Sequence, residues 1–478
     1  MQLTNTLGRR LEEFKPLSPK EVKLYTCGPT VYNHVHIGNL RAYIFADIVM
    51  RALSFNGYDV NWVMNITDVD DKTIANSIKE FGPKASVDDL KTFTQRYFET
   101  FLSDLEKINV SPRGISFVKV TEKIADIQEY IVKLMDKGFA YKTDDGSTYF
   151  SIEKYQQQFG DYGALVGPKF LEGKKIGARV KVDEYDKENL SDFALWKAHG
   201  DDDGEIFWDH PVLGKGRPGW HIECTLINYF KFPDGTDIHT GGVDLIFPHH
   251  TNEIAQAQPI YRPFVNYWLH SEHIQVSGEK MAKSLGNVFV LKDLESEKVA
   301  TGQSLRYLYL QSHYRSKLNV TKKSLASGKS GLQNLIRQIS TLKDQAESAG
   351  AGESKPNEKY IDRFTGAIND DLNTASAMAL LSELLASNLD AAEKLATAYK
   401  MDEVLGLNLE NSYVKTYDAK SLKQENPKIA EILEHRNQAR AAKNFELSDK
   451  LRSEIEADGY EVIDSQDSTI IAKTSIKK

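Results

Sequence analysis

The sequence predicts an α/β protein in which a Rossmann-type parallel-sheet domain, split by an insertion, is followed by mainly helical C-terminal domains. Three observations carry that expectation. Short apolar runs suited to buried strands alternate with helical spacing near the N-terminus, a charged block interrupts the alternation before it resumes, and helical spacing dominates after Ser284.

Val22 to Cys27 reads as a short buried strand closed by a Gly28-Pro29 turn. A helix opens near Gly38, since Leu40, Ile44, Phe45, Ile48, Val49, Ala52 and Leu53 recur at helical spacing and Asn56-Gly57 ends the run. Val60 to Ile66 supplies the next strand. Strand, helix, strand is the unit of a parallel sheet, and its connecting loop lies where such sheets bind ligands. From 112 to 204 the pattern becomes a helix (Ile124 to Leu134), short strands (Thr148 to Phe150, Arg179 to Val182) and charged loops. This block divides the sheet domain into 1–111 and 205–275, the apolar pattern resuming near Trp220 and running through Tyr267 to His273. A loop-bearing region follows at 276–325, then a helical bundle at 326–409 and a small terminal domain at 410–478. Within them lie a polar linker (Ser348 to Pro356), two helices near 360–398, a loose region (Asn408 to Glu425), one helix (Ile429 to Ala457) and a strand-like tail (Tyr460 to Ala472).

A chain of 478 residues suggests three or four domains. No stretch approaches the roughly 18 uncharged apolar residues of a membrane span. The first residues, Met1 to Leu17, hold no apolar core and carry acids, so they read as neither a secretory nor a transit segment, and a cytoplasmic home is expected. The net charge of −8 argues weakly against a nucleic-acid partner unless basic residues gather on one face. Only two cysteines occur, Cys27 and Cys224. In a cytosolic chain a disulfide is not expected, which leaves them as buried apolar groups or as metal ligands.

Four segments carry chemistry. His34, His36, Gly38 and Asn39 stand at a helix start, where unpaired N–H groups and a partial positive charge can hold phosphate oxygens. Gly38 would let a base ring come close to the backbone. The plain alternative is helix capping by the histidines and Asn39. Lys280-Met281-Ala282-Lys283-Ser284, between Ser277-Gly278 and Leu285-Gly286-Asn287, has the make-up of a mobile flap over a triphosphate, or else of a solvated loop. His249 and Glu253, four apart, share a helical face. With Cys27 and Cys224 they offer two thiolates, an imidazole and a carboxylate, a set suited to one tetrahedral Zn²⁺, although a surface His/Glu pair is the commoner use of that spacing. Arg436, Arg440 and Lys443 fall on one face of the last long helix, a stripe that fits phosphates or a solvated face equally well.

HIGN at 36 to 39 (His36, Ile37, Gly38 and Asn39) and KMAKS at 280 to 284, together with WHIEC at 220 to 224 and FPHHTNE at 247 to 253, resemble the signatures of cysteinyl-tRNA synthetases, a class I aminoacyl-tRNA synthetase family. The resemblance implies ATP, L-cysteine and tRNA(Cys) as partners, Mg²⁺ arriving with ATP, and a monomer. It puts His36, Asn39, Lys280 and Lys283 around the reacting phosphates, with His34, Gly38 and Ser284 also touching ATP. Trp220 and His221, within four residues of Cys224, are expected to form the wall of the amino-acid pocket, although core packing would explain Trp220 equally well, and among Thr67, Asp68 and Asp244 the resemblance favours Asp244 with Thr67 for the substrate ammonium. Asp70-Asp71 is expected to cap a helix. Residues 276–325 become a signature loop with a stem-contact region, and 410–478 an anticodon-binding module. Zinc then has a reason: a pocket separates sulfur from oxygen by only roughly 10–200-fold, whereas a soft metal separates them electronically. Four protein ligands leave no vacant tetrahedral position, so the expectation is five-coordination or a loosened Glu253 when a thiolate arrives.

The chain departs from the usual signatures at Asn39 and Ala282, at Thr251 where Glu is frequent, and in the tail Ser468-Thr469-Ile470-Ile471, where Gly and Trp are frequent. Two rivals remain. The cysteine ligase of mycothiol synthesis shares the core but lacks a terminal module like 410–478. A non-catalytic zinc- and nucleotide-binding regulator would keep the folds without pyrophosphate exchange.

Overall fold

The computed structural model describes all residues except 161, 168–174, 178–188, 277, 281–287, 351, 353, 418, 465–468 and 477–478. Two compact units emerge, Met1–Lys329 with Phe364–Met378, and Ser330–Arg363 with Ala379–Lys478.

The first unit is built on a five-stranded parallel sheet in the order Val265–Ser271, Thr236–Gly242, Glu21–Thr26, Asp59–Ile66, Ile115–Lys119. Trp62 through Ile66 are buried without alternation, as expected for a strand covered on both faces. The helix Ile37–Phe55 crosses between the third and fourth of these strands and ends at Asn56, with Gly57 taking the left-handed conformation (φ 86°). From the central strand Glu21–Thr26 the next two strands of the sheet lie on one side and the last two on the other, so the loop after it opens at the point where strand order reverses.

The inserted block holds a four-stranded antiparallel sheet, Gly216–Pro218, Phe193–Ala198, Thr148–Phe150, Ala140–Lys142. Its limits differ from the expected 112 and 204. Ile115–Lys119 is an edge strand of the parallel sheet, and Gly216–Pro218 belongs to the inserted one. Hydrophobic spacing alone does not say which sheet a three- to five-residue run will join. Trp220, expected to reopen the sheet pattern, instead starts the helix Trp220–Lys231. The proposed strand Arg179 to Val182 lies outside the described residues.

Beyond the sheet, Ile274–Val276 pairs with both Glu279–Lys280 and Leu318–Val320. The second unit carries the helix Ala391–Leu405 and a three-stranded antiparallel sheet, Ser412–Tyr417, Thr469–Ile476, Glu461–Asp464. Three helices, Glu358–Asn369, Thr374–Ala386 and Ala391–Leu405, stand where two were expected. The loose region 408–425 holds a strand and the helix Ala419–Glu425. The single helix expected over Ile429 to Ala457 is two, Pro427–Ala441 and Phe445–Ala457, broken where Lys443 adopts φ 59° and Asn444 caps the second through its side chain onto Leu447. No helix among the described residues is long and apolar enough to cross a membrane.

Candidate metal and nucleotide site

The site forms at the C-terminal ends of the parallel strands. Cys27 follows Thr26, and the next residue must be glycine, because a Cβ on Gly28 would lie 1.7 Å from the Asn65 carbonyl oxygen. Gly28 N–H donates to Asn65 Oδ1 at 2.8 Å, which ties the turn after one strand to the end of its neighbour. Cys224 comes from the second turn of the helix Trp220–Lys231. A kinked segment over Ile246–His250, in which Phe247 is extended (φ −138°, ψ 131°), leads into Thr251–Ala257, and the pair His249 and Glu253 faces inward from there.

The four expected ligands converge and are buried, Glu253 completely. Zinc–sulfur bonds of about 2.3 Å in a tetrahedron place two sulfurs about 3.8 Å apart. Cys27 Sγ and Cys224 Sγ are 3.8 Å apart, Cys27 Sγ and Glu253 Oε1 3.8 Å, and His249 Nε2 and Glu253 Oε1 3.1 Å. These edges and the mixed sulfur, nitrogen and oxygen donors fit a zinc ion. A second group, Cys27, His239, His250 and Glu253, also converges within metal-binding distance. It shares Cys27 and Glu253 with the first, so the two describe alternative ligand sets around one position. The set with two thiolates suits zinc better, because the softer donors favour it.

The surrounding histidines were not foreseen. His250 Nε2 lies 3.3 Å from Cys27 Sγ, and its Nδ1 is 2.7 Å from His270 Nε2, whose Nδ1 in turn meets Thr6 Oγ1 at 2.7 Å. His239 Nε2 is 3.1 Å from Glu253 Oε2. The doublet His249-His250 was visible in the sequence, but spacing does not tell which ring faces the thiolates. His221 sits 2.9 Å through Nδ1 from His249 Nδ1, so it orients the ligand ring. Trp220, 43% exposed, stacks on His249 at 4.4 Å between centroids.

Electrostatics favour the anionic forms of Cys224 and Glu253 and oppose that of Cys27. Burial pushes the Cys27 thiol well up. Burial acts the same way on Cys224, but the hydrogen bond from Cys27 and the charge of His249 outweigh it and bring Cys224 down to about 6. The two thiols therefore share one proton and titrate as a pair. Burial would raise Glu253 too, yet His239 and His249 hold it down to about 2. Burial opposes the charging of His249, and Cys224 with Glu253 overcome it, lifting the ring to about 10.

At the helix start His36 is the N-cap: its Nδ1 accepts from Asn39 N–H at 3.1 Å, and Asn39 Oδ1 accepts from His36 N–H at 3.2 Å. The capping alternative is thus real, and a Cβ on Gly38 would lie 2.9 Å from the His36 ring, so the cap alone already calls for glycine. His34 packs edge-on against Tyr97. Asp70 caps Asp71–Phe81 through Thr73, as expected. Thr67 is nearly buried and donates to Glu223 Oε2 at 2.8 Å, whereas Asp244 is exposed against Gly242. Lys280 ends a two-residue strand paired with Gln275, and Lys283 and Ser284 lie outside the described residues.

One sequence expectation fails on burial. Arg436 is only 2% exposed and its guanidinium reaches Asn437 at 3.3 Å, so it is not part of a surface stripe; Arg440 and Lys443 are exposed. Arg436 falls on the inward face of Pro427–Ala441 with Ile429, Leu433 and Ala439, so its burial follows from the packing of its own helix, while the break at 442–444 separates Lys443 from that helix. Phe445, 63% exposed beside that turn, was not singled out from the sequence.

Residues 13–330 match the family model for the class I (C) tRNA synthetase catalytic domain. The chain is 41% identical to the cysteine-tRNA ligase of Chlamydia trachomatis serovar A, covering 97% of this chain and 98% of that protein. It is 39% identical to that of Brachyspira hyodysenteriae, covering 96% and 97%. Among solved structures it is similar to Mycobacterium tuberculosis methionyl-tRNA synthetase in complex with methionyl-adenylate (TM-score 0.55, 14% identity, 86% of this chain and 92% of that one). A similar likeness joins it to Agrobacterium radiobacter leucyl-tRNA synthetase (TM-score 0.55, 13% identity, 83% and 84%). At those identities the structural likeness establishes the fold.

Proposed function

Because the chain belongs to the cysteine-tRNA ligases, a family of class I aminoacyl-tRNA synthetases, we propose that it charges tRNA(Cys) with L-cysteine through a cysteinyl-adenylate. The observation that carries the substrate choice is the buried Cys27, Cys224, His249 and Glu253 cluster at the reversal point of the sheet. Zinc held there would supply a soft Lewis acid that takes a thiolate in preference to a neutral hydroxyl. His221 keeps the His249 ring in place, and Trp220, stacked on that ring, shields the pocket from water.

The substrate carboxylate attacks the α-phosphorus of ATP and pyrophosphate leaves; a ribose hydroxyl of the tRNA 3′-terminal adenosine then attacks the mixed anhydride. No covalent enzyme nucleophile is needed, so rate comes from positioning and charge stabilisation. The N-terminus of Ile37–Phe55, with His34, His36, Gly38 and Asn39, meets the nucleotide, while Lys280 and Lys283 neutralise phosphates with Mg²⁺ and Ser284 donates a hydrogen bond to them. Thr67 and Asp244 take the substrate ammonium. Arg440, Lys443 and the exposed Phe445 form the nucleic-acid face of the second unit, which is what the mycothiol-type rival lacks. The same reading places a monomer in the cytoplasm.

Cysteine-dependent ATP–pyrophosphate exchange run beside serine, followed by charging of purified tRNA and by metal analysis, tests the proposal. Exchange with cysteine alone in a zinc-containing protein is the expected result. An active preparation without a transition metal, or exchange supported equally by serine, would overturn it. Arg440→Ala with Lys443→Ala should raise the KM for tRNA and leave exchange unchanged.

A further inference from the structure

Glu223 is fully buried one residue before Cys224. Thr67 donates its hydroxyl to Glu223 Oε2 at 2.8 Å, and Glu223 Oε1 has no hydrogen-bond partner among the described residues. A buried carboxyl held by so little is expensive, because an unmet acceptor forfeits its hydration without return. Its one bond, however, sets the state of a neighbour.

A hydroxyl has one proton and two lone pairs. Thr67 spends its proton on Glu223, and Asn65 Nδ2 donates to Thr67 Oγ1 at 3.2 Å, occupying one lone pair. What remains on Thr67 is a single acceptor position. Asn65 is itself fixed, since its Oδ1 accepts the Gly28 N–H at 2.8 Å and so binds this network to the turn that carries Cys27. The backbone of Thr67 is locked as well, with Thr67 N–H donating to the Pro29 carbonyl at 3.1 Å and its own carbonyl accepting Val31 N–H at 3.1 Å. Without Glu223 the hydroxyl proton is free to turn outward and present a donor, which repels an ammonium.

We propose that Glu223 is a positioning residue that acts through Thr67, turning the hydroxyl proton away so that Thr67 accepts a hydrogen bond from the substrate ammonium and selects an amino acid over an amine-free thiol acid. This rests on the reading of Thr67 as an ammonium contact given above.

The test compares dissociation constants of zinc-loaded enzyme for L-cysteine and for 3-mercaptopropionate, which keeps thiol and carboxylate but lacks the amine. Glu223→Met removes the acceptor at similar length, Glu223→Gln retains an amide oxygen for Thr67, and Thr67→Val deletes the hydroxyl. Glu223→Met should weaken cysteine binding about tenfold or more, equivalent to about 1.4 kcal/mol per tenfold, and leave 3-mercaptopropionate and zinc content unchanged. Glu223→Gln should stay near the parent, and Glu223→Met should add nothing in the Thr67→Val background. Equal weakening of both ligands, loss of zinc or of folding in the methionine variant, or a glutamine variant as impaired as methionine overturns the proposal. If Thr67→Val itself leaves cysteine binding intact, the ammonium reading of Thr67 fails, a result separable from a Thr67 effect that Glu223 does not share.

Discussion

Replacing Arg306 with methionine probes how the helix bearing the nucleotide signature is held. Arg306, in the helix Gly302–Leu310, and Asp47, in Ile37–Phe55, are both fully buried, with Arg306 Nη2 2.6 Å from Asp47 Oδ2. Arg306 Nη1 also donates to the Ile108 carbonyl at 3.2 Å. Coulomb attraction in such a place is offset by the loss of hydration, so the intact pair contributes little net, but breaking it strands a charge and costs about 3–5 kcal/mol. Asp47 keeps a second partner here, Arg51, whose Nε is 2.7 Å from the same oxygen. The lower end, about 3 kcal/mol, is therefore expected. Adding Asp47→Met should recover part of the loss, since the partly exposed Arg51 can turn to water. Urea unfolding followed by tryptophan fluorescence is the assay. All five tryptophans, Trp62, Trp196, Trp208, Trp220 and Trp268, lie in the first unit, so the signal reports that unit alone. A change below about 1 kcal/mol in the single variant, or a double variant less stable than the single, refutes the reasoning.

Lys283→Ala should slow adenylate formation by about 100-fold or more while sparing zinc content, and equal exchange rates in variant and parent would remove its role. Cys224→Ser should weaken zinc binding by more than the roughly 10–100-fold that loss of a ligand's neighbour costs; a metal analysis after dialysis that still finds one zinc per chain contradicts the ligand set. Asp104 offers a pH prediction. Burial and then nearby Glu295 lift its carboxyl to about 6 against the pull of Lys107. The folded state thus holds a proton that the unfolded state has already released, and stability contributed by this group falls as pH rises from about 4 to about 6. Asp104→Asn should stabilise the first unit at about pH 7 and not at about pH 4; an equal effect at both values would assign the change to packing.

The parallel sheet was legible because Glu21–Thr26 and Asp59–Ile66 are short runs whose C-terminal ends, from Leu24 and from Trp62, are buried without alternation, while the helix between them is punctuated by His36 and Asn56-Gly57. The convergence of Cys27, Cys224, His249 and Glu253 was legible for a different reason. A chain with two cysteines, each beside a glycine-bearing turn or a histidine, offers few ways to place a soft metal. Less legible was everything that depends on direction within the site. His249 and His250 are adjacent, and behind the kink at Phe247 one ring points toward Glu253 Oε1 at 3.1 Å and the other toward Cys27 Sγ at 3.3 Å. A helical wheel drawn from sequence assumes a uniform turn and cannot separate them. Glu223 was likewise read only as part of WHIEC, since its link to Thr67 joins residues 156 apart.

The C-terminal error shows the same dependence on backbone geometry, carried to a surface. Pattern reading joined Ile429 through Ala457 because Ala441-Ala442-Lys443-Asn444 contains neither glycine nor proline, the usual marks of a break. Lys443 nevertheless takes a left-handed conformation, a cost that the Asn444 cap onto Leu447 at 3.1 Å helps offset. Once the helix is broken, residues seven apart no longer share a face. Arg436 already sits on the buried face of the first helix with Ile429 and Leu433, so the basic stripe reduces to Arg440 and Lys443, followed in sequence by the exposed Phe445. A continuous charged stripe would track phosphates along a strand, whereas two cations and an exposed ring within six residues suit a single unstacked base. The break therefore changes the kind of contact that the proposed nucleic-acid face would make, from backbone tracking to local recognition of a base.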